Sequence, residues 1–490
     1  QNNVLNYQVQ LTPSDRMSLG ADLDLNYTNR NGGFGAGNLI GLSLSPTFQN
    51  RNVFGGAELL VTSLRGGVEV NPDTSISSAA FFNTVNLAAD ISLYVPRFHD
   101  FGLYNFLNKL PSPFGRRIIS NKFLANLWER GNTRYSLGYE FLSIRNFYAY
   151  TLLNGRLGYD FNRSATTSYR INHFALDILT PEIRPDFELT LDQNEFLRRS
   201  IGEQYFLSVL FRNVEYIRNG RQDRRGRSLS FNGQFEVAGA EVSLLNDVVN
   251  LFGEDQIITP NQDATYAKYA LASADIRYQK QYTPLKSFAA RFLVAAARPY
   301  GGSEAVPYVK QFFAGGANSM RAWVPRALGP GGFVDSLSLN DDVSILRLFQ
   351  TGDFRMELNL EYRFHIASFF KGALFADIGN VWTFEEDIER PGSQFLLRRK
   401  PNADGSFIAQ PFYRQLAVGV GTGLRTDLSY FIFRLDVAMP LRYNYPHEGF
   451  GEMPLERDGS PIPESAYWRR FDSFNIGRDL TFQLGLGYPF

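Results

Sequence analysis

The feature that most constrains this chain is a strict two-residue alternation of apolar and polar side chains. Between positions 354 and 365, every even-numbered residue is apolar and every odd-numbered residue is charged, an amide or histidine. Successive side chains of a β-strand point to opposite faces, so this period gives a strand with one apolar face. An α-helix would mix the two sets around its axis. The segment therefore predicts a two-faced β-strand.

The same alternation recurs in segments of about the length that a tilted strand needs to cross a bilayer, roughly 9–11 residues. Sixteen segments can be counted, an even number as in closed bacterial barrels. They lie at approximately 18–28, 38–48, 56–69, 85–95, 133–146, 150–161, 167–178, 203–216, 227–239, 264–280, 286–298, 354–366, 371–382, 415–425, 430–441 and 480–490.

The connections between these segments sort by parity. Long connections (300–353, 383–414 and 442–479) follow odd-numbered segments, and short ones (281–285, 367–370 and 426–429) follow even-numbered segments. Outer-membrane barrels have short periplasmic turns and long outer loops, so the short side is predicted to be periplasmic. The exception is 96–132, a long even-side connection in which NKFLANLWERG predicts a short helix.

Composition supports a membrane barrel. Aromatic residues make up 15% of the chain, no run of 18 apolar residues exists, and 49 basic residues balance 49 acidic ones. The absence of Cys excludes disulfides, thiolate metal sites and cysteine nucleophiles. We predict an all-β fold, a closed 16-stranded antiparallel transmembrane β-barrel over 18–490, with 1–17 as an N-terminal segment or linker left from a periplasmic region.

Signals for catalysis or cofactor binding are weak. The four histidines lie far apart, and neither HExxH, GxSxG nor a phosphate loop occurs. Gly419, Gly421 and Gly423 have the period of a strand, not of a dinucleotide turn, and indicate a smooth inner wall beside something bulky. We expect no catalytic residue, metal or cofactor, although an embedded hydrolase is a minor alternative.

An arginine cluster, RNGRQDRRGR (218–227), falls on a short-side turn. With a net charge of zero and no wider basic surface, a nucleic-acid partner is not expected. The cluster is better interpreted as a solvated turn near anionic headgroups or a partner domain.

One ion pair is predicted to organise the centre of the barrel. QFFAGGANSMRAW (311–323) is a turn hinged at Gly315 and Gly316 that presents Arg321, and GALFADIGNVW (372–382) is a strand whose inward face carries Asp377. We expect Arg321 to hold its loop against the inner wall through Asp377. Three other carboxylates predicted to point inward are candidate partners of the arginine: Glu357, Glu361 and Asp436.

These motifs resemble the BamA/TamA superfamily of outer-membrane assembly barrels, which also includes the two-partner-secretion transporters. YVKQFFAGGANSMRAW (308–323) resembles the sixth outer loop, whose Arg-Gly-aromatic tip here reads Arg321-Ala322-Trp323. The FxDxG strand motif matches Phe375, Asp377 and Gly379. NRNVFGGAELLV (50–61) is similar to an early hairpin of the family, and the ending GLGYPF to its terminal strand signal. Within the group, the chain looks nearest the TamA-like branch of Bacteroidetes.

The resemblance implies a barrel in the outer membrane of a Gram-negative bacterium, with the sixth outer loop inserted into its lumen. It also implies periplasmic POTRA domains before the barrel; the sequence has only about 17 residues there, so we expect either a longer protein or separate partners. The implied partners are outer-membrane lipids, unfolded or nascent client β-barrel proteins, and periplasmic or lipoprotein accessory subunits.

The join between the first and last strands is predicted to be weak. Proline has no backbone N–H to donate, and glycine weakens a strand. The residues predicted to form this seam are Leu23, Leu25, Gly485, Gly487, Pro489 and Phe490. An edge that opens there can template an incoming strand. We therefore expect a factor that inserts or exports client polypeptides; the alternatives are a passive porin and a structural or binding barrel.

Overall fold

The fold is described from a computed structural model of the 490-residue chain. The structure describes residues 15–30, 39–70, 82–102, 104–105, 109, 120–144, 148–192, 195–202, 204–244, 265–333, 350–401, 408–428, 432–446, 462–470 and 480–490. Residues 1–14 of the predicted N-terminal segment, and parts of the long loops, lie outside these ranges.

Sixteen strands form the wall, and we number them in chain order. They are β1 Met17–Arg30, β2 Leu39–Arg51, β3 Leu59–Val70, β4 Phe82–Val95, β5 Gly131–Ile144, β6 Tyr148–Ser164, β7 Thr167–Ile183, β8 Gln204–Ser208 continuing as Asn213–Arg218, β9 Arg227–Ala238, β10 Tyr269–Thr283, β11 Lys286–Pro299, β12 Phe354–Ala367, β13 Phe370–Trp382, β14 Ala417–Asp427, β15 Ile432–Arg442 and β16 Thr481–Leu486.

Each strand pairs antiparallel with the next, and β16 pairs back onto β1. The prediction of a 16-stranded antiparallel barrel is confirmed, and each predicted segment overlaps one strand. The eighth strand is interrupted at 209–212, and a two-residue strand, Thr265–Tyr266, pairs in parallel with its first half. The described connections include the helices α1 Asn121–Arg130, α2 Pro185–Asp192 and α3 Glu195–Ser200.

Helix α1 occupies the connection in which a short helix was predicted. The Ser120 side chain caps it by accepting from the Phe123 backbone N–H at 3.2 Å. Its Leu127 is fully buried beside Phe98 and Tyr159. Among the described residues, no helix is both long and apolar enough to cross a membrane.

The wall has the polarity expected of a membrane barrel, with apolar residues outside and charges inside. On the outer face Leu19 and Leu137 expose 79% and 67% of their surface. On the inner face Glu361 and Arg425 are fully buried. Buried charges need partners, because an isolated one is costly in a medium of low dielectric constant. Something must therefore fill the lumen and pair with them.

The lumen is filled by the lumenal loop, residues 300–353. Its described parts are mostly buried, and two isolated β-bridges, Phe312 with Gly352 and Ala314 with Leu328, fold it back on itself. Loop residues Ala314, Met320, Ala322, Trp323 and Leu328 form one hydrophobic cluster with inner-wall residues Phe375, Ala417 and Ala438. The loop therefore lies against the inner faces of β13, β14 and β15.

The predicted extent of the last strand, to residue 490, is wrong. β16 ends at Leu486, so Gly487, Pro489 and Phe490 lie beyond the ladder instead of inside it. Gly487 has a φ of +78°, in the left-handed region that favours glycine, and its N–H bonds to the Ile432 carbonyl at 2.8 Å. The chain bends away from the strand direction at this glycine, which ends the pairing before Pro489 is reached.

Candidate functional site

The tip of the lumenal loop is a tight turn built on two glycines. Gly315 and Gly316 have φ values of +103° and +100°, and a Cβ on Gly315 would lie 2.1 Å from the Val324 carbonyl oxygen. The Gly316 N–H bonds to the Trp323 carbonyl at 2.8 Å. Any side chain at 315 would collide with backbone, so glycine is required there. The turn presents Arg321 to the wall.

Arg321 and Asp377 are in direct contact. The Arg321 Nε and Nη2 atoms donate to the two carboxylate oxygens of Asp377, both at 2.8 Å, and the Arg321 backbone N–H donates to the same carboxylate at 3.1 Å. This two-pronged arrangement matches the planar guanidinium to the planar carboxylate. The Arg321 side chain is 1% exposed and that of Asp377 is fully buried. We call this contact, with Glu361 included, the arginine anchor.

The Arg321 guanidinium makes two further contacts. Its Nη1 atom donates to Glu361 at 2.6 Å, and its carbon lies 3.5 Å from the centre of the Phe375 ring. Burial alone would lower the pKa of Arg321, but Asp377, Glu361 and Asp436 outweigh burial and raise it. The arginine is therefore charged at every pH at which the protein folds.

The three candidate partners of Arg321 behave differently. Glu361 contacts it directly, and Asp436 lies 3.9 Å away, at the limit of an ion pair. Glu357 does not contact it: its carboxylate accepts from Ser319 at 2.6 Å and from Arg355 at 2.8 Å. The reason is geometric, because Glu357 lies closer to the start of β12, opposite the turn at Ser319.

The glycines of the inner wall make room for this site. A Cβ on Gly419 would lie 2.6 Å from the Ala322 Cβ atom, and one on Gly421 would lie 2.4 Å from the Phe375 ring. A Cβ on Gly379 would lie 2.5 Å from the Met356 carbonyl oxygen. The bulky object expected beside the glycine wall is therefore the tip of the lumenal loop together with the Phe375 ring.

Sequence reasoning missed several residues of the site. Arg425 bridges two carboxylates, donating to Asp436 at 2.5 Å and to Glu361 at 3.2 Å. Asn359 donates to Asp377 at 3.0 Å and to the Ser319 carbonyl at 3.0 Å. The alternation of β12 and β14 already placed both side chains in the lumen, and that inward position was the available signal.

The last strand also holds the loop tip. The Gln483 amide donates to the Arg321 carbonyl at 2.6 Å and to the Trp323 carbonyl at 3.1 Å, and the Thr481 hydroxyl donates to the Ala322 carbonyl at 3.0 Å. Three carbonyls in the tip therefore find their donors on β16. The tip is attached to the strand that forms one side of the seam.

A second contact fixes the loop to the opposite wall. Lys310 donates to Glu236 of β9 at 2.8 Å, and Glu236 also pairs with Arg212 at 3.1 Å. The Tyr269 hydroxyl donates to the same carboxylate at 2.5 Å. Arg212 in turn pairs with Asp177 at 3.0 Å. We call the Lys310–Glu236 contact the lysine anchor.

The seam between β1 and β16 is short. Four residue pairs join the strands, from Tyr27 opposite Leu484 to Arg30 opposite Thr481, whereas twelve pairs join β1 to β2. Leu23 and Leu25 lie outside this four-pair ladder. They pair with Leu44 and Leu42 of β2 and have no partner on β16.

The glycine at 485 has a packing role that sequence reasoning did not foresee. A Cβ there would lie 2.5 Å from the Arg434 guanidinium, so Gly485 makes space for that side chain. Arg434 then reaches the loop and donates to the Asn318 side chain at 2.8 Å.

The described residues contain no group of three or more His, Cys, Asp or Glu side chains arranged to hold a metal ion. The charged groups of the site are instead paired with one another. The arrangement favours holding a polypeptide segment in place.

Comparisons with known proteins agree with this architecture. The model of the Omp85 superfamily domain matches residues 128–490. No curated protein sequence matches the chain. Among solved structures, BamA from Haemophilus ducreyi lacking POTRA domains 1–3 is similar, with 14% identity, a TM-score of 0.52, and coverage of 96% of this chain and 70% of that one.

Two further structures are similar at lower scores. CdiB from Escherichia coli has 12% identity and a TM-score of 0.45, over 97% of this chain and 63% of that one. CdiB from Acinetobacter baumannii has 10% identity and a TM-score of 0.46, over 96% and 60%. The BamA structure supports the fold, and the family match extends over most of the chain, including β5 to β16 and the lumenal loop. The chain belongs to the Omp85 superfamily.

Proposed function

We propose that this protein is an outer-membrane assembly or translocation barrel that passes client polypeptides through the seam between β1 and β16. It acts without a cofactor or a catalytic residue. Membership of the Omp85 superfamily and the likeness to a BamA barrel support a role in outer-membrane protein assembly or secretion in general. The clients are unfolded or nascent β-barrel proteins, and periplasmic or lipoprotein subunits assist delivery.

The observation that carries the proposal is the short ladder of the seam. Ten residues of β1, Met17–Asn26, have no partner on β16, while the same strand is paired along its other edge. Unpaired backbone groups in a bilayer cost several kcal/mol each. An incoming client strand that pairs with this edge removes that cost, which is strand addition used as a membrane-insertion template.

The lumenal loop connects the seam to the interior. Because Gln483 and Thr481 hold carbonyls of the tip, β16 cannot move far from β1 without stretching those hydrogen bonds or carrying the tip along. The arginine anchor fixes the tip to β12 and β13. In this mechanism, release of the tip permits the seam to widen, and re-formation of the anchor restores it.

A passive porin is less consistent with the structure. A porin needs a water-filled channel, whereas the tip of this loop packs against the glycine wall and its arginine is 1% exposed. A purely structural or binding barrel would not need a short seam attached to a buried loop.

The proposal is tested by covalently closing the seam. Because the chain has no Cys, a pair introduced as Tyr27→Cys with Leu484→Cys would supply its only thiols. The two positions are opposite each other in the ladder, at a spacing compatible with a disulfide. In cells depleted of the wild-type chain, we expect the oxidised variant to stop outer-membrane accumulation of client barrels, and a reductant to restore it.

A matched pair controls for the chemistry. Ile276→Cys with Phe292→Cys joins opposite positions of β10 and β11, whose ladder is long, and should leave client levels unchanged. Normal client accumulation with the seam fully crosslinked would refute a role for seam opening.

A further inference from the structure

Three neighbouring turns at the short-turn end of the barrel carry a large excess of positive charge. Residues 218–227, 279–288 and 363–371 contain nine Arg and Lys residues and a single carboxylate, Asp223. Strand pairing places the turns side by side, because β9 pairs with β10 and β11 pairs with β12. We call these three segments the basic mouth.

The single carboxylate does not neutralise the basic mouth. Asp223 accepts from the backbone N–H groups of Arg225 and Arg227 at 2.8 and 2.9 Å and pairs with the Arg227 guanidinium at 2.9 Å. It therefore shapes its own turn. Within the described part of the chain, no carboxylate lies at ion-pair distance from Arg221, Arg224 or Lys286, and all three are exposed.

The basic mouth encloses a cavity of about 500 Å³, within the usual range for ligand sites. Its charged lining is Lys280, Lys286, Arg363 and Lys371, and no carboxylate lines it. Other hydrogen-bonding side chains complete the polar lining: Gln222, Ser228, Gln279, Gln281, Ser287, His365 and Tyr488. A concave surface lined by one sign of charge concentrates the field and attracts the opposite charge.

Some of the cationic groups are already engaged, and these fix the shape of the cavity. Lys371 pairs with Asp427 at 2.7 Å, and Arg363 pairs with Glu361 at 2.8 Å and lies 4.1 Å from the centre of the Tyr488 ring. The cavity therefore has a fixed inner wall, with exposed cations at its rim.

The inward position of the cavity decides which anionic partner it takes. Gln279 lies in the same row of side chains as Ala289 and Glu361, on the inner face of the wall. Arg363 and Lys371 share that face, whereas Lys280 and Lys286 lie in the outward rows of Phe288 and Phe364. A headgroup of a bilayer lipid stays outside the ring and does not reach Gln279, Arg363 or Lys371, whereas a polypeptide entering at the short-turn end reaches both sets of groups.

We propose that the basic mouth binds an acidic, extended polypeptide segment presented from the periplasm. Carboxylates of the segment pair with the rim cations, and the glutamine and serine side chains bond to its backbone. Such complementarity raises the association rate and selects the partner by charge. The inference concerns this end of the wall and holds whether or not the seam opens to clients.

The test uses the full chain in detergent micelles and a fluorescein-labelled peptide of eight residues in which glutamate alternates with serine. Fluorescence anisotropy should show binding that weakens as salt is added, and no binding of the same peptide with glutamine in place of glutamate. The R221Q/R224Q/R225Q triple variant and the K286Q single variant should each weaken binding, the triple by at least tenfold.

The control removes three exposed cations from the opposite end. The R398Q/R399Q/K400Q variant alters the long loop after β13 and should bind the peptide like the wild type. Equal binding to the triple variant, or equal binding of the glutamine peptide, would overturn the proposal. So would displacement of the peptide by phosphatidylglycerol vesicles but not by phosphatidylcholine vesicles, which would assign the basic mouth to anionic lipid.

Discussion

The two anchors of the lumenal loop differ in how completely their charged side chains are buried. At the arginine anchor a guanidinium that is 1% exposed contacts two fully buried carboxylates, and the facing wall carries glycines that leave room for the loop tip. At the lysine anchor the Lys310 side chain is 27% exposed, and its partner Glu236 has three other donors, Arg212, Tyr269 and Gln234. The arginine anchor is closed to water, and within the described residues Arg321 is the one cation paired with Asp377, although Glu361 also pairs with Arg363 and Arg425. The lysine anchor is partly solvated, and its carboxylate has several other donors.

This difference indicates how each anchor responds to damage. Removing one member of a buried ion pair leaves an uncompensated charge in a medium of low dielectric constant, and the cost is several kcal/mol. Removing a partly exposed lysine leaves a carboxylate that water and other donors still satisfy. The loop therefore depends strongly on its tip and weakly on its base.

The largest effect is expected for Arg321→Ala. Asp377 and Glu361 would lose their shared cation, and the free energy of unfolding of the barrel should fall by about 3–5 kcal/mol. Heat-modifiability on gels and denaturant unfolding measure this loss. Arg321→Lys, which keeps the charge but not the two-pronged geometry, should recover only part of it. A barrel of wild-type stability in Arg321→Ala would show that the arginine anchor does not hold the loop.

A much smaller effect is expected for Lys310→Met. Glu236 keeps Arg212 at 3.1 Å and the Tyr269 hydroxyl at 2.5 Å, so the loss should be about 1 kcal/mol. The same unfolding measurement applies, and client levels should stay normal. A loss as large as that of Arg321→Ala would erase the distinction between the two anchors.

The last effect concerns pH at the outer end of the loop. Burial, with Glu385 and Asp387 nearby, raises the pKa of Asp353 to about 6, although the Phe384 N–H and Arg390 oppose the shift. The folded state then binds more protons than the unfolded state between about pH 4 and 6, so stability should fall as pH rises through this window.

Asp353→Asn removes that titration. Unfolding of this variant should lose the slope between pH 4 and 6, and a neighbouring substitution at an exposed acid, Glu385→Gln, should keep most of it. An unchanged slope in Asp353→Asn would assign the pH dependence to other groups.

Much of the fold was predictable from sequence because one signal repeats sixteen times. Alternation fixes the strands and their faces, and turn length fixes the two ends of the barrel. Arg321 and Asp377 were predictable because each is a lone charge at a marked position, one beside a glycine hinge and one in an apolar strand. The structure places the two in contact at 2.8 Å.

The contacts and strand end that the sequence did not predict depend on strand register and on bends in the chain. Alternation specifies neither. Whether Glu357 or Glu361 meets the arginine is decided by four residues along β12, two steps on its inner face. The left-handed bend at Gly487, which removes Pro489 from the ladder, needs the fold around it. The lysine anchor joins positions 74 residues apart, and no local pattern marks Lys310 or Glu236 as partners.

The contact between Ala322 and Gly419 has a consequence for hybrid proteins. In this chain a methyl group stands on the tip and the facing strand has none, so a methyl on both sides would collide. A donor loop ending in Arg-Gly-aromatic would leave a gap against this strand, and this tip would clash with a recipient whose strand carries any side chain at that spot. Loop and facing strand must therefore be exchanged together.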